Sequence, residues 1–356
     1  MKAALLEQGK MRVADIPEPQ PGNGHVIVQP ILCGVCGSDL HARDHADHLC
    51  DLLHRAGFRG FMDPDQPVVM GHEFCAEIVE HGPATGRSLP MGQRVVAMPF
   101  LTGADGVELI GYSNRFNGAF AERMLLDEAA LIAVPDHVNS EVAALTEPLA
   151  VAVHAVAQSG GDGDCCFAVH GCGPVGLFVI ARLRALGLGP ILAIDPVAAR
   201  REMAGRMGAD IAIAPDREEQ ERWWRGQGMY LGLSDTVAAA ATGAGKRAVA
   251  FECVGKPGML RGIAEDSPVG STITVVGTCM ETDMLEPALM IQKAIQLRFV
   301  FAYSADEFAE AFAMIAADPS RLRPLVTGQV GLGDVDDAFS ALIAGGDQVK
   351  MLVRPN

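Results

Sequence analysis

Cys166–Gly187 reads CFAVHGCGPVGLFVIARLRALG. CFAVH (166–170) is a short apolar run of strand type, and LFVIARLRALG places apolar residues at helical spacing. Between them, Gly171-Cys172-Gly173-Pro174-Val175-Gly176 fits G-x-G-x-x-G. In a strand-to-helix setting each glycine has its own use. Gly171 allows the tight turn, Gly173 lets a pyrophosphate approach the backbone, and Gly176 lets the helix pack on the strand. Pro174 and Val175 open the helix, where proline loses no hydrogen bond and the free N–H groups face phosphates. The same six residues are also compatible with a glycine-rich turn in an α/β domain that binds no dinucleotide.

Strand–helix alternation continues outward. ILAID (191–195) is the next strand, VAARREMAGRMG a helix closed by Gly208, and IAIA (211–214), AVAFECVG (248–255) and STITVVG (271–277) are later strands. This pattern predicts a doubly wound parallel sheet. Asp195 ends the second strand, 19 residues after Gly176. Its carboxylate can accept from both ribose hydroxyls and repels a 2′-phosphate, which favours NAD over NADP. Arg200 and Arg201 stand nearby and are expected along the adenosine or facing solvent.

Residues 1 to about 150 have a different character: short β-branched runs such as HVIVQPILC, FCAEIVEHG and QRVVAMPF, broken by Gly/Pro turns, predict a β-rich domain. After about 290, ADEFAEAFAMIAADP and VDDAFSALIAGG read as helices and KMLVRP as a closing strand. The expected division is therefore 1–150, with 291–356 returning to it, and a nucleotide domain over 151–290.

The chain has 356 residues, 49% hydrophobic and 20% charged, with a net charge of −16. So acidic a chain does not track a phosphate backbone, which argues against nucleic acid as partner. No apolar run approaches a membrane span, and the first twenty residues lack the apolar core of a secretory signal, so a cytoplasmic location is expected. Nine cysteines, an odd number in a long chain, do not suggest a disulfide scaffold.

ILCGVCGSDLH (Ile31–His41) is the second informative stretch. Its C-x-x-C admits a redox dithiol, half a zinc knuckle, or one corner of a catalytic metal site. No second cysteine pair follows at knuckle spacing, and the β-rich setting does not suit a thioredoxin-like dithiol. Cys36, His72 and Glu147 would offer thiolate, imidazole and carboxylate, the donor types of a catalytic zinc; on residue types alone, His72 beside Glu73 is equally a satisfied polar pair.

CGVCGSDLH, VVMGHEF, GQRVVAMP, NGAFAERMLL, LTEPLAVAVHAV, GCGPVG and FECVG occur in this order along nearly the whole chain. Together they resemble the zinc-dependent medium-chain dehydrogenase/reductases, nearest to the alcohol, sorbitol and threonine dehydrogenase branch. The resemblance implies a GroES-like catalytic domain plus a Rossmann domain. It makes Cys36, His72 and Glu147 the ligands of one catalytic zinc, Glu147 directly or through water, and Glu73 a carboxylate that approaches the metal during ligand exchange. Asp39 would hold the His72 ring, Ser38 would hydrogen-bond the substrate alcohol, and His41 would pass its proton outward. Hydride transfer between a secondary alcohol or polyol and NAD, giving the ketone or aldehyde, is the implied reaction, in a homodimer or homotetramer. A zinc-free NADPH-dependent quinone or enoyl reductase would lack the Cys/His/Glu set, and a non-enzymatic binding module has no need of Ser38, Asp39 and His41.

Two departures stand out. FLTGADGVELIGYSNRF, where relatives carry a four-cysteine lobe, has no cysteine, so no structural zinc is expected. Between His41 and Gly71 lies an insertion whose first part, to Arg55, reads as a helix. His41, His45, His48 and Cys50 could make an extra metal site there; a helix capping the substrate cleft is the simpler reading, with Phe58, Phe61 and Met62 as an apolar wall. Trp223-Trp224, in a polar irregular stretch, reads as a subunit contact or as burial beneath a loop. His154 is expected to pack, and Cys165, Cys166, Cys75 and Cys253 to be structural.

Overall fold

The computed structural model describes residues 1–103, 106–232, 234–235 and 246–356. Ala104 and Asp105 of the cysteine-free lobe therefore lie outside the described residues. The chain divides into two compact units, Met1–Pro148 with Phe308–Asn356, and Leu149–Glu307.

The first unit is β-rich. Its largest sheet runs in the order Ile132–Ala133, Arg94–Val96, Glu73–His81, His25–Gly34, Lys350–Arg354, Val326–Gly331, with Met124–Asp127 also paired to His25–Gly34. Alternating apolar residues of His25–Gly34 and Glu73–His81 pack into one core with Phe74, Phe120, Tyr112 and Phe339. Gly34 pairs with Glu73 on one side and Leu352 on the other. Three strand ends thus meet at one place: the exit of His25–Gly34, and the starts of Glu73–His81 and Lys350–Arg354. Helices Gly37–Asp44 and Ala46–Arg55 follow directly. The single helix expected over 41–55 is broken at His45, whose φ of −139° and ψ of 34° leave the helical region.

The second unit is a six-stranded, wholly parallel sheet in the order Ile211–Ile213, Ile191–Ile194, Cys165–His170, Arg247–Glu252, Thr272–Val275, Gln296–Phe299. In chain order this is 3-2-1-4-5-6, the Rossmann arrangement, whose order reverses beside the first strand. The sixth strand lies beyond the 290 boundary read from sequence; pairing of Thr272 with Gln296 through Val275 with Phe299 places it in this sheet. Trp223 and Trp224 sit not in an irregular stretch but on helix Arg217–Gly226, edge to face at 4.6 Å and buried in the core.

Candidate active site

Cys36 stands two residues beyond strand His25–Gly34 and caps helix Gly37–Asp44. The first turn of that helix supplies Ser38 and Asp39, and His41 lies three residues after Ser38, so the two share a helix face. His72 and Glu73 open the neighbouring strand. A donor atom from each of Cys36, His72 and Glu73 lies within 4.8 Å of the other two.

Asp39 is fully buried and organises this cluster. Its Oδ2 accepts from the Cys36 N–H at 2.9 Å. Its Oδ1 stands 3.3 Å from His72 Nδ1, a contact without hydrogen-bond alignment, so that buried nitrogen has no hydrogen-bond partner. Burial alone would push the His72 imidazole down, but Asp39 and Cys36 hold it well above the ordinary histidine value. A cysteine sulfur, an imidazole nitrogen and a carboxylate oxygen drawn together in this way are donors that one cation would satisfy at once. The thiolate, imidazole and carboxylate set suits zinc, and these residues fit such an ion. The two cysteines of C-x-x-C are unequal: Cys33 is a buried strand residue whose thiol is pushed well up by burial, Asp39 and Glu73.

In the second unit, Gly171 takes φ +91°, and a Cβ at Gly176 would run into the Gly171 carbonyl. A Cβ at Gly173 would meet nothing within 4 Å. Packing thus requires glycine at 176 and leaves the backbone at 173 facing open space, as an approaching diphosphate needs. Helix Pro174–Ala185 begins there, capped by Gly173. Asp195 is buried; Oδ2 accepts from the Cys172 N–H and Oδ1 from the Val197 N–H, both at 2.8 Å. Arg201 donates to the carbonyls of Asp195 and Pro196. The turn therefore fits a dinucleotide.

Residues 22–136 match the family model described as alcohol dehydrogenase GroES-like domain, and residues 174–317 the one described as zinc-binding dehydrogenase. The chain is 32% identical to the (R,R)-butanediol dehydrogenase of Bacillus subtilis (strain 168), covering all of both chains. It is 26% identical to the sorbitol dehydrogenase of the same organism, over 100% of this chain and 98% of the relative. The crystal structure of 2R,3R-butanediol dehydrogenase from Bacillus subtilis matches with a TM-score of 0.79 at 30% identity, over 100% of this chain and 99% of that one.

The chain belongs to the zinc-dependent medium-chain dehydrogenases. It is an oxidoreductase with the GroES-like and Rossmann architecture of that family.

Within this medium-chain dehydrogenase, Glu147 is not among the three clustered donors. It is buried in the first turn of helix Thr146–Gln158, and its charge is felt at Lys350. Cys50 points away from His45 and His48: its thiol donates to the Met62 carbonyl at 3.2 Å, while both histidines are exposed. Among the described residues these do not form a donor cluster. His154 Nδ1 lies 3.0 Å from the Glu307 carboxylate oxygens.

Two site residues escaped the sequence reading. Lys350, fully buried, places Nζ 2.8 and 2.6 Å from the Glu73 oxygens and 3.1 Å from the Val35 carbonyl. Burial alone would lower its pKa, but Glu73, Cys36 and Glu147 raise it, and the ammonium stays charged. Tyr112, from the cysteine-free lobe, reaches both Ser38 and Asp39 with its hydroxyl. Burial and the nearby Asp39 and Cys36 charges push the phenol well up, so Tyr112 keeps its proton. Neither residue sits in a local motif; only the strand pairing of Lys350–Arg354 and the fold of the lobe deliver them.

Proposed function

We propose that this dehydrogenase transfers a hydride between NAD and a secondary alcohol, with vicinal diols and polyols as the substrate class. The observation that carries it is the convergence of Cys36, His72 and Glu73, with Ser38 on the adjoining helical turn. The diol and polyol class is supported by full-length similarity to proteins named butanediol and sorbitol dehydrogenases.

Zinc, when bound, supplies the Lewis acidity that makes an alcohol hydroxyl a stronger acid, and the nicotinamide supplies the hydride acceptor. Cys36, His72 and Glu73 would hold the ion. Glu147 is the second carboxylate proposed for it, and the charges of both acids act on the Lys350 ammonium. Asp39 fixes the Cys36 backbone and sets its second carboxylate oxygen against the His72 ring. The Ser38 hydroxyl accepts the hydrogen bond of the substrate hydroxyl, and His41 carries the proton outward.

Gly171, Gly173, Pro174, Val175 and Gly176 would cradle the diphosphate, and Arg200 would lie along the adenosine. Asp195 would receive the ribose hydroxyls on the lone pairs left by the Cys172 and Val197 bonds. Its charge disfavours a 2′-phosphate, and Arg201 is committed to two carbonyls. NAD rather than NADP follows. Leu149–Glu307 is then the nucleotide domain and the first unit the catalytic domain. One zinc per chain is expected, since 100–117 has no cysteine.

Assembly into a homodimer or homotetramer is supported by the exposed Met284, Ile291, Phe299 and Phe301 of the second unit. The nine cysteines are all free thiols, which suits a reducing cytoplasm; none of the described helices is long and apolar enough to cross a membrane. Metal analysis and an alcohol panel run with both nucleotides test the reading. Zinc with NAD-dependent diol oxidation is expected; a metal-free chain that reduces quinones with NADPH would overturn it.

A further inference from the structure

We propose that Tyr112 is a positioning residue that aims the Ser38 hydroxyl, holding its hydrogen away from the substrate so that its lone pairs face the substrate alcohol. The inference rests on the role proposed for Ser38.

The argument is a count of protons. Tyr112 Oη lies 2.8 Å from Ser38 Oγ and 2.8 Å from Asp39 Oδ1. A phenol has one hydrogen and can donate it once, while its oxygen can also accept. The Asp39 carboxylate has no hydrogen to give, so the Tyr112 O–H donates to Asp39. The contact with Ser38 is then made by the Ser38 O–H donating to the Tyr112 oxygen. That leaves Ser38 an acceptor toward the approaching alcohol hydroxyl; when Ser38 takes the alcohol proton, the hydrogen it had given to Tyr112 is the one released, turning toward the His41 side of the helix. With no partner, a serine hydroxyl rotates freely and spends much of its time as a donor.

The phenol is held firmly enough to impose this direction. Its ring is buried, stacked on Phe61 at 5.1 Å and tilted against His72 at 5.2 Å. Two residues on, Asn114 accepts from the Asp63 N–H, and its two amide hydrogens are shared among the carbonyls of Asp63, Gln66 and Pro67, 3.2–3.3 Å from the nitrogen. The cysteine-free lobe and the insertion are thereby laced together, and Tyr112 is the point at which they reach the site. A segment that has no cysteines for a structural ion contributes a hydroxyl to the chemistry.

The test is a double-mutant cycle of Tyr112→Phe and Ser38→Ala in the zinc-loaded full chain, with NAD and a vicinal diol. Tyr112→Phe should lower kcat about tenfold or more with KM changed less and zinc content unchanged. In the Ser38→Ala background the same change should cost nothing further, because residues acting as one unit are non-additive. Full activity in Tyr112→Phe, multiplying losses, or loss of zinc would each overturn the inference. A second readout needs no turnover: in denaturant unfolding of the zinc-free chain, the double variant should shift the midpoint by less than the two single shifts combined, and additive shifts would count against it. A wild type without zinc or alcohol oxidation would instead overturn the function proposed above, while the unfolding cycle would still show whether Tyr112 holds Ser38.

Discussion

At the scale of single residues, the site is governed by charges that have left water together. Lys350 and Glu73 are both almost wholly buried. Such a pair is costly to split, because the survivor keeps its charge without its partner. Lys350→Met should therefore destabilise the zinc-free chain by roughly 3–5 kcal/mol in denaturant unfolding; a loss under about 1 kcal/mol would mean that Glu73 finds other compensation. His41 gives a pH signature. Burial, and then His45, pull its pKa below the ordinary histidine value against the opposing charge of Asp44. A proton carrier must be neutral to accept, so alcohol oxidation should persist through the ordinary histidine range and fall only at lower pH. His41→Gln should lower kcat by about tenfold and remove that acid limb; an unchanged profile would take His41 out of the relay. Cys36, Ser38, Asp39, His72 and Glu73 stood out in sequence through the family resemblance of two short motifs, and the structure brings donor atoms of Cys36, His72 and Glu73 within 4.8 Å of one another. Lys350 and Tyr112 were not, since single residues far along the chain leave no spacing signal. Glu147 shows the converse: a motif marked it, and the clustered donors do not include it.

At the scale of elements, the phosphate turn separates fold from function within six residues. A Cβ at 176 would meet the Gly171 carbonyl, while one at 173 would meet nothing within 4 Å. Gly176→Ala should therefore impair folding, visible as a lower melting temperature. Gly173→Ala should melt like the wild type yet bind NAD at least tenfold more weakly in titration. Equal NAD affinity in Gly173→Ala would show that the diphosphate does not lie there. The strands and helices around this turn were legible because fully buried parallel strands read as apolar runs between glycine signals. The sixth strand, Gln296–Phe299, was not: as QLRF at the sheet edge it lacks the apolar run that marked the others. The break at His45 also left no signature, since no proline or glycine occurs between Gly37 and Gly57.

At the scale of the whole molecule, the two architectures were distinguishable from grammar alone: β-branched runs with Gly/Pro turns in one half, strict strand–helix alternation in the other. What the grammar could not supply was the convergence of three strand ends near Cys36, Glu73 and Lys350, because the pairing of Gly34 with both Glu73 and Leu352, far apart along the chain, is a tertiary fact. Global stability should carry a mark of the Rossmann strand that ends at His170. Burial pushes that imidazole down to about 4. Above pH 6.5 it is neutral in both states and contributes nothing to pH dependence. As pH falls from 6.5 toward 4 the unfolded chain takes up a proton that the native chain refuses, so native stability declines by up to about 3 kcal/mol. His170→Gln should remove that part of the acid loss in unfolding measurements; an identical slope in the variant would mean that His170 is protonated in the fold. The central claim, a zinc-dependent alcohol oxidation at Cys36, His72 and a carboxylate, is most directly tested by Cys36→Ser, with metal content, NAD binding and diol turnover measured on one preparation. Loss of zinc and of turnover with NAD binding retained is the expected result; wild-type activity in Cys36→Ser would contradict it.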